Sequence, residues 1–273
     1  MAAVTAIEWT EMTWNPVTGC SKVSEGCKFC YAERMAYRLQ SMGVEQYRHG
    51  FRVRLAPHVL DAPLRWEKPR MIFVNSMSDL FHEEVPSEYI KAVFDVMKAT
   101  PRHIYQVLTK RSKRLAKLAA SLSWPENVWM GVTVENNDVI GRIRDLVSTG
   151  AFLKFISFEP MLEAIPDVNL ELIEWVIVGG ESGPHARGIK KAWIESIHEK
   201  CLAHRIPFFF KQWGSLNFNA DPNDPTAKRG HKFYAKGGCQ LDGRLYREMP
   251  IGRLTNNWSS RSKPALSLDE RIN

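Results

Sequence analysis

The chain has 273 residues, 44% hydrophobic and 25% charged, with a formal net charge of +7. That length buries a full core as one large domain, or as a domain with a tail, and the composition is that of a soluble globular protein. No apolar run approaches the ~20 residues that span a bilayer, so a membrane partner is not expected. Met1 to Thr13 has neither a basic start nor an apolar core, so no secretory signal is expected and the cytoplasm is the expected compartment. There thiols stay reduced, and clustered cysteines point to metal or catalysis. The positive charge favours an anionic partner such as a nucleic acid or nucleotide, although a basic enzyme with no such partner has the same balance.

Taken in chain order, the first feature is a short strand or its approach at Thr13 to Val17, delivering a loop that holds Cys20, Cys27 and Cys30 in the spacing C-x6-C-x2-C. Gly19 and Gly26 each precede a cysteine and permit a sharp turn. Three thiolates on one loop can hold a metal centre with one coordination position open, which closed four-cysteine sites lack. A disulfide within the loop, or a structural zinc completed by His82, Cys201 or Cys239, are the other readings. Lys22 and Lys28 lie where they would favour thiolates.

A helix is expected over Ala32 to Gln40, from Met35, Ala36 and Leu39. Gly43 to Arg70 is irregular and interleaves Arg48, His49, Arg52, Arg54 and Arg65 with Tyr47, Phe51 and Trp66. It reads equally as a phosphate- and base-binding segment or as a solvated crossover.

A rhythm then sets in. Apolar runs at Met71–Val74, Ile104–Leu108, Val128–Val132, Leu153–Ser157, Trp175–Val178 and Pro207–Phe210 read as doubly covered parallel strands. Amphipathic stretches lie between them at Ser87 to Ala99 (with Ser87 the expected N-cap), Arg111 to Ser121, Val139 to Val147 and Lys191 to Ala203. The alternation predicts an α/β fold, a partial or near-complete parallel (β/α) TIM-like barrel over residues 1–213. Every strand ends in polar residues: Ser76, Ser78 and Asp79; Lys110; Glu135; Glu159; Gly179, Gly180 and Glu181; Lys211. In a barrel these ends converge on one mouth, so a shared polar pocket is expected. His185 and Arg187 are candidates to touch a phosphate. Residues 214–273 form an extension expected to pack near that mouth, with a hairpin turn at Leu241-Asp242-Gly243-Arg244 and a frayed polar end from Ser259. Cys201 is expected in the core, and Cys239 is a candidate hydrogen donor or ligand.

Cys27-Lys28-Phe29-Cys30-Tyr31 resembles the second half of the cluster loop of the radical S-adenosylmethionine (SAM) superfamily, C-x3-C-x2-C; the first gap here is six residues. The wider string from Thr13 to Glu33, with Asn75–Phe81, Leu108–Arg111, Gly179–Pro184, Phe210–Gly214 and Leu241–Arg244, resembles a phage-associated protein family of unknown function and spans most of the chain. The superfamily resemblance implies a [4Fe–4S] cluster on Cys20, Cys27 and Cys30. It also implies SAM chelated at the open iron and cleaved reductively to a 5′-deoxyadenosyl radical, with a reductase or flavodoxin-type electron donor. SAM contacts are then expected from Ser76, Ser78, Asp79, Lys110, Glu135, Glu159, Gly179, Gly180 and Glu181. The nearest analogy for the substrate is spore-photoproduct-lyase-type DNA repair. Two readings stand beside it: a non-catalytic zinc or iron–sulfur protein that binds nucleic acid, and a hydrolase using metal held by the strand-end carboxylates, which lacks an H-E-x-x-H signature.

Overall fold

The computed structural model describes residues 3–5 and 7–250. Strands β1 (Ala3–Val4), β2 (Met12–Trp14) and β3 (Val17–Thr18) lead into the cysteine loop and helix α1 (Tyr31–Ser41), and β4 (Arg54–Leu55) pairs back onto β3. The expected first strand is therefore two short ones, interrupted at Asn15-Pro16, because a proline donates no ladder hydrogen bond. Alternation follows: β5 (Met71–Val74), α2 (Ser87–Ala99), β6 (Ile104–Thr109), α3 (Ser112–Leu118), β7 (Val128–Thr133), α4 (Arg142–Val147), β8 (Leu153–Phe158), β9 (Trp175–Val178), α5 (Lys191–His204) and β10 (Phe208–Phe210).

The main sheet runs β1-β2-β5-β6-β7-β8-β9-β10, antiparallel only at β1–β2. The seven parallel strands are curled into an open barrel, as the apolar runs lead one to expect. Trp9 shows the curl. Its ring lies 4.7 Å from Phe73 on β5 and 6.1 Å from Trp175 on β9. Four strand spacings would separate those residues by ~19 Å in a flat sheet. The concave face is a stack of large rings and aliphatics, with Phe73, Trp129, Phe155, Trp175 and Phe209 buried against one another. Toward the strand ends the same inward positions turn polar: Asn75, Thr133, Ser157 and Lys211. The convex face is covered by helices. On α2, Ile90, Val93, Phe94 and Met97 are at most 1% exposed, each contributing roughly 1.5–3 kcal/mol of burial.

Two local expectations shift. Ser87 is the first helical residue rather than the cap, since the Pro86 carbonyl already accepts from Tyr89 and Ile90. The stretch from Val139 breaks into a 3-10 turn and a short α4, with Gly141 between them, where glycine disfavours a continuous helix. No helix joins β8 to β9; Met161, Ile165, Val168, Leu170 and Ile173 of that loop cover the convex face instead.

Beyond β10 the chain returns to the barrel edge. Phe210 donates to the Tyr246 carbonyl and Glu248 to the Phe208 carbonyl, capping the last strand. The Leu241–Arg244 hairpin turn forms, with Asp242 and Gly243 both at positive φ as a type I′ turn needs. The polar stretch Ser259 to Asn273, read as a frayed end, lies outside the described residues.

Candidate active site

The strand ends enclose a cavity of about 400 Å³. Cys20, Cys27 and Cys30 all line it, each partly exposed and none in a disulfide. The loop that carries them is pinned at several points. Gly19 bridges to Ser78, and its positive φ brings it against the Arg52 carbonyl, where any Cβ would lie 2.0 Å from oxygen. Only glycine meets both demands. At the far side, the Glu135 carboxylate accepts from the Ser24 hydroxyl and from Gly26 N–H, while Arg142 holds its second oxygen at 2.8 Å. Arg187 grips both oxygens of Glu181 at 2.7 and 2.8 Å and reaches the Glu25 carbonyl at 2.9 Å. Its guanidinium also stacks 5.4 Å over Phe29.

On the Cys20 side, Arg111 is buried and donates to the Cys20 sulfur at 3.8 Å and to the Ser21 carbonyl at 3.0 Å. Burial and the Asp79 carboxylate push the Cys20 thiol up to about 11, against the pull of Arg111. Lys22 pairs with Glu33 at 3.0 Å, and that carboxylate, then Cys30 and Cys27, raise its pKa, so it lies within reach of two of the sulfurs as expected; on the Cys20 side the cation is Arg111. His82 is held neutral by burial and by Arg111. Its Nδ1 accepts from Glu84 N–H, so its proton sits on Nε2, which is turned to the Ser21 hydroxyl at 2.8 Å.

The remaining strand-end residues divide by what already engages them. Asp79 accepts from Phe81 N–H, the Thr109 hydroxyl and Lys110 N–H. Ser78 donates to the Val17 carbonyl and Ser76 to Asn15. Asp79, Glu135 and Glu181 thus shape the walls, and Lys110 lines the cavity with no ion pair among the described residues. Gly180 lines the cavity with its Cα against the Trp213 carbonyl, 1.9 Å from where a Cβ would stand; Gly179 abuts Glu159. Also lining the cavity, Lys211 pairs with Glu159 at 2.9 Å and Lys236 with Glu8 at 2.7 Å. Burial alone would draw the Lys211 ammonium down, but Glu159 and Glu8 outweigh it and leave its pKa raised. Burial would raise Glu8, and Lys211 and Lys236 outweigh that, leaving it lowered.

Glu8, Lys236 and Arg142 carry no motif and were not foreseen. Cys239 is fully buried beside Thr226 at 3.5 Å and does not line the cavity; Cys201 is in the core. His185 and Arg187 gather at Phe29 rather than standing free.

A family model described as "Protein of unknown function (DUF5131)" matches residues 4–250. The chain belongs to that family. The expectation of a family of unknown function is met. No curated protein matches. Two solved structures of spore photoproduct lyase, one complexed with dinucleoside spore photoproduct and one a mutant with bound AdoMet and that dinucleoside, are similar at 13% identity, covering 73% of this chain with TM-scores of 0.47 and 0.45. The chain spans 63% of those chains. That likeness is too distant to assign an activity. No helix among the described residues is long and apolar enough to cross a membrane.

The donor set bears on which metal group this family member could hold. Among the described residues, no three His, Cys, Asp or Glu side chains are grouped to hold a metal ion. A [4Fe–4S] cluster takes cysteine thiolates at its iron corners. Three thiols around one cavity, with His82 engaged by Ser21 and Cys201 and Cys239 buried elsewhere, fit the cluster in ligand type and number.

Proposed function

We propose that this protein is a radical SAM-type enzyme that modifies or repairs a nucleic acid or nucleotide. The observation that supports this most directly is that Cys20, Cys27 and Cys30 line one cavity together with the polar ends of the parallel strands. These cysteines would hold a [4Fe–4S] cluster with one iron open to SAM. When bound and reduced by an external donor, the cluster supplies the electron that splits SAM into methionine and a 5′-deoxyadenosyl radical.

The chain's own residues supply placement. Glu135, Arg187 and Arg111 hold the cysteine loop in position. Lys110, the lining cation with no ion partner among the described residues, is assigned to the SAM carboxylate, and Ser76 and Gly180 line the same cavity. The Glu159–Lys211 and Glu8–Lys236 pairs form part of the cavity wall, where the substrate would enter. Residues 214–250 contribute that wall through Lys236. The partly enclosed site limits water around a reactive radical.

The test is anaerobic purification, iron and sulfide counts, and addition of dithionite and SAM. About four irons per chain and formation of 5′-deoxyadenosine are expected, and a Cys27→Ala variant should lose both. Zinc without iron would overturn the reading in favour of a structural metal site.

A further inference from the structure

Helix α1 leans on the protein through very little apolar surface: Ala32 and Ala36 are its buried residues. One exposed side of the helix carries Tyr31, Arg34, Met35, Arg38 and Met42, with Tyr31 at 52% and Met42 at 66%. At 100° per residue these five fall within an arc of about 100°, so they form one stripe along the helix and its C-cap. The stripe begins inside the site, since Tyr31 and Ala32 line the cavity and the Tyr31 hydroxyl donates to the Ser76 carbonyl.

Its charge is uncompensated. The helix's one carboxylate, Glu33, is held by Lys22 at 3.0 Å. Among the described residues, Arg34 donates only to the Ser182 carbonyl at 3.3 Å. Arg34, Arg38, and the exposed Lys28 and Arg52 on the neighbouring loops make no ion pair among the described residues. A surface that only had to stay soluble would not need soft apolar side chains between its arginines. Cations interleaved with an exposed ring and thioethers suit phosphates on one side and unstacked bases on the other.

We infer that the Tyr31–Met42 stripe is the docking track for single-stranded nucleic acid, leading one nucleotide past Tyr31 into the cavity. The inference rests on the nucleic-acid reading above and names the form of the substrate and the surface that takes it. A duplex would satisfy the arginines but would keep its bases stacked and away from Tyr31.

The test is fluorescence anisotropy with the full chain, purified anaerobically without added SAM, against a labelled twenty-nucleotide oligothymidine and a duplex of equal length over a salt series. The single strand is expected to bind more tightly. Arg34→Ala/Arg38→Ala should weaken it about tenfold and lower the slope of log affinity against log salt by ~1.4, two phosphates at ~0.7 each. Arg34→Lys/Arg38→Lys should keep the slope. Tyr31→Ala should weaken binding at least about fivefold with the slope unchanged. Lys91→Ala/Lys98→Ala, two exposed positions on α2, should match wild type. Wild-type affinity and slope in the double alanine variant, an equal loss in the α2 variant, or tighter duplex binding would overturn the inference. Because no turnover is read, absence of 5′-deoxyadenosine in the earlier assay would sink the enzyme reading and leave this measurement intact.

Discussion

Glu135 accepts the backbone N–H of Gly26 at 3.3 Å across 109 positions of sequence. This carboxylate has no exposed surface and is neutralised by Arg142 at 2.8 Å. The fit is close enough that a Cβ on Gly26 would stand 3.0 Å from the Glu135 carboxyl carbon. Glu135→Ala would leave Arg142 buried without its partner, at a cost of ~3–5 kcal/mol in unfolding free energy. Glu135→Gln keeps the acceptor and should cost less. Urea denaturation gives the energies. Alkylation kinetics of Cys27 in the metal-free protein give the loop's freedom, and faster labelling is expected in both variants. Unchanged labelling in the alanine variant would mean that the loop is held elsewhere.

Arg187 is the second brace, joining Glu181 to Glu25. Glu181 is buried, so Arg187→Ala leaves a carboxylate without its two charge-assisted bonds and should cost ~1–3 kcal/mol. The larger effect is expected on metal retention, since Phe29 between Cys27 and Cys30 also loses its stacked guanidinium. Iron per chain after desalting should fall well below wild type, with Arg187→Lys intermediate because one ammonium cannot reproduce the forked contact. Full iron retention in the alanine variant would remove this role.

Acid should weaken the fold through His103. The ring is fully buried, 3.3 Å from the Pro63 carbonyl, and burial together with Arg102 pushes its pKa down to about 4. An unfolded histidine titrates near 6.5, so between those values the unfolded chain binds a proton that the folded chain refuses. The stabilising contribution is complete above pH ~6.5 and is lost as pH falls toward 4, amounting to about 3 kcal/mol. His82, also lowered, acts in the same direction. His103→Gln should flatten the fall in unfolding free energy between pH 6.5 and 4.5 relative to wild type. An unaltered difference between those two pH values would exclude His103 as the cause.

The barrel was legible because its strands are nearly continuous apolar runs bounded by polar residues, a pattern that a doubly covered strand imposes on its own sequence. The cysteines were legible because three metal-type side chains sit on one loop. What holds them was not. Glu135 stood out as a strand-end carboxylate, but nothing local says that it faces Gly26 instead of a ligand; that follows only from the curl that brings β7 over the loop. Glu8 and Lys236 lie 228 positions apart and meet only because the barrel is left open between its first and last strands. Arg187 looked like a phosphate contact because a sequence shows charge without showing the partner that consumes it.

Gly131 offers a test of the layer beneath the cavity. It lies on the concave face of β7, two residues before Thr133, which lines the site. A Cβ there would stand 2.5 Å from the Phe155 ring, which is itself fully buried and 5.4 Å from Trp175. The ring cannot back away without pressing on that neighbour, so Gly131→Ala should destabilise by ~1–3 kcal/mol through overpacking. Phe155→Leu alone removes volume and leaves a void, with a cost of similar size. Combined, the new methyl occupies space that the ring vacates. The double variant should therefore be more stable than the two single changes added together, by at least ~1 kcal/mol, as read from urea denaturation of all four proteins. Additivity within ~0.5 kcal/mol would mean that Gly131 and Phe155 are not in contact across β7 and β8, and that the floor of the cavity is not set by their packing.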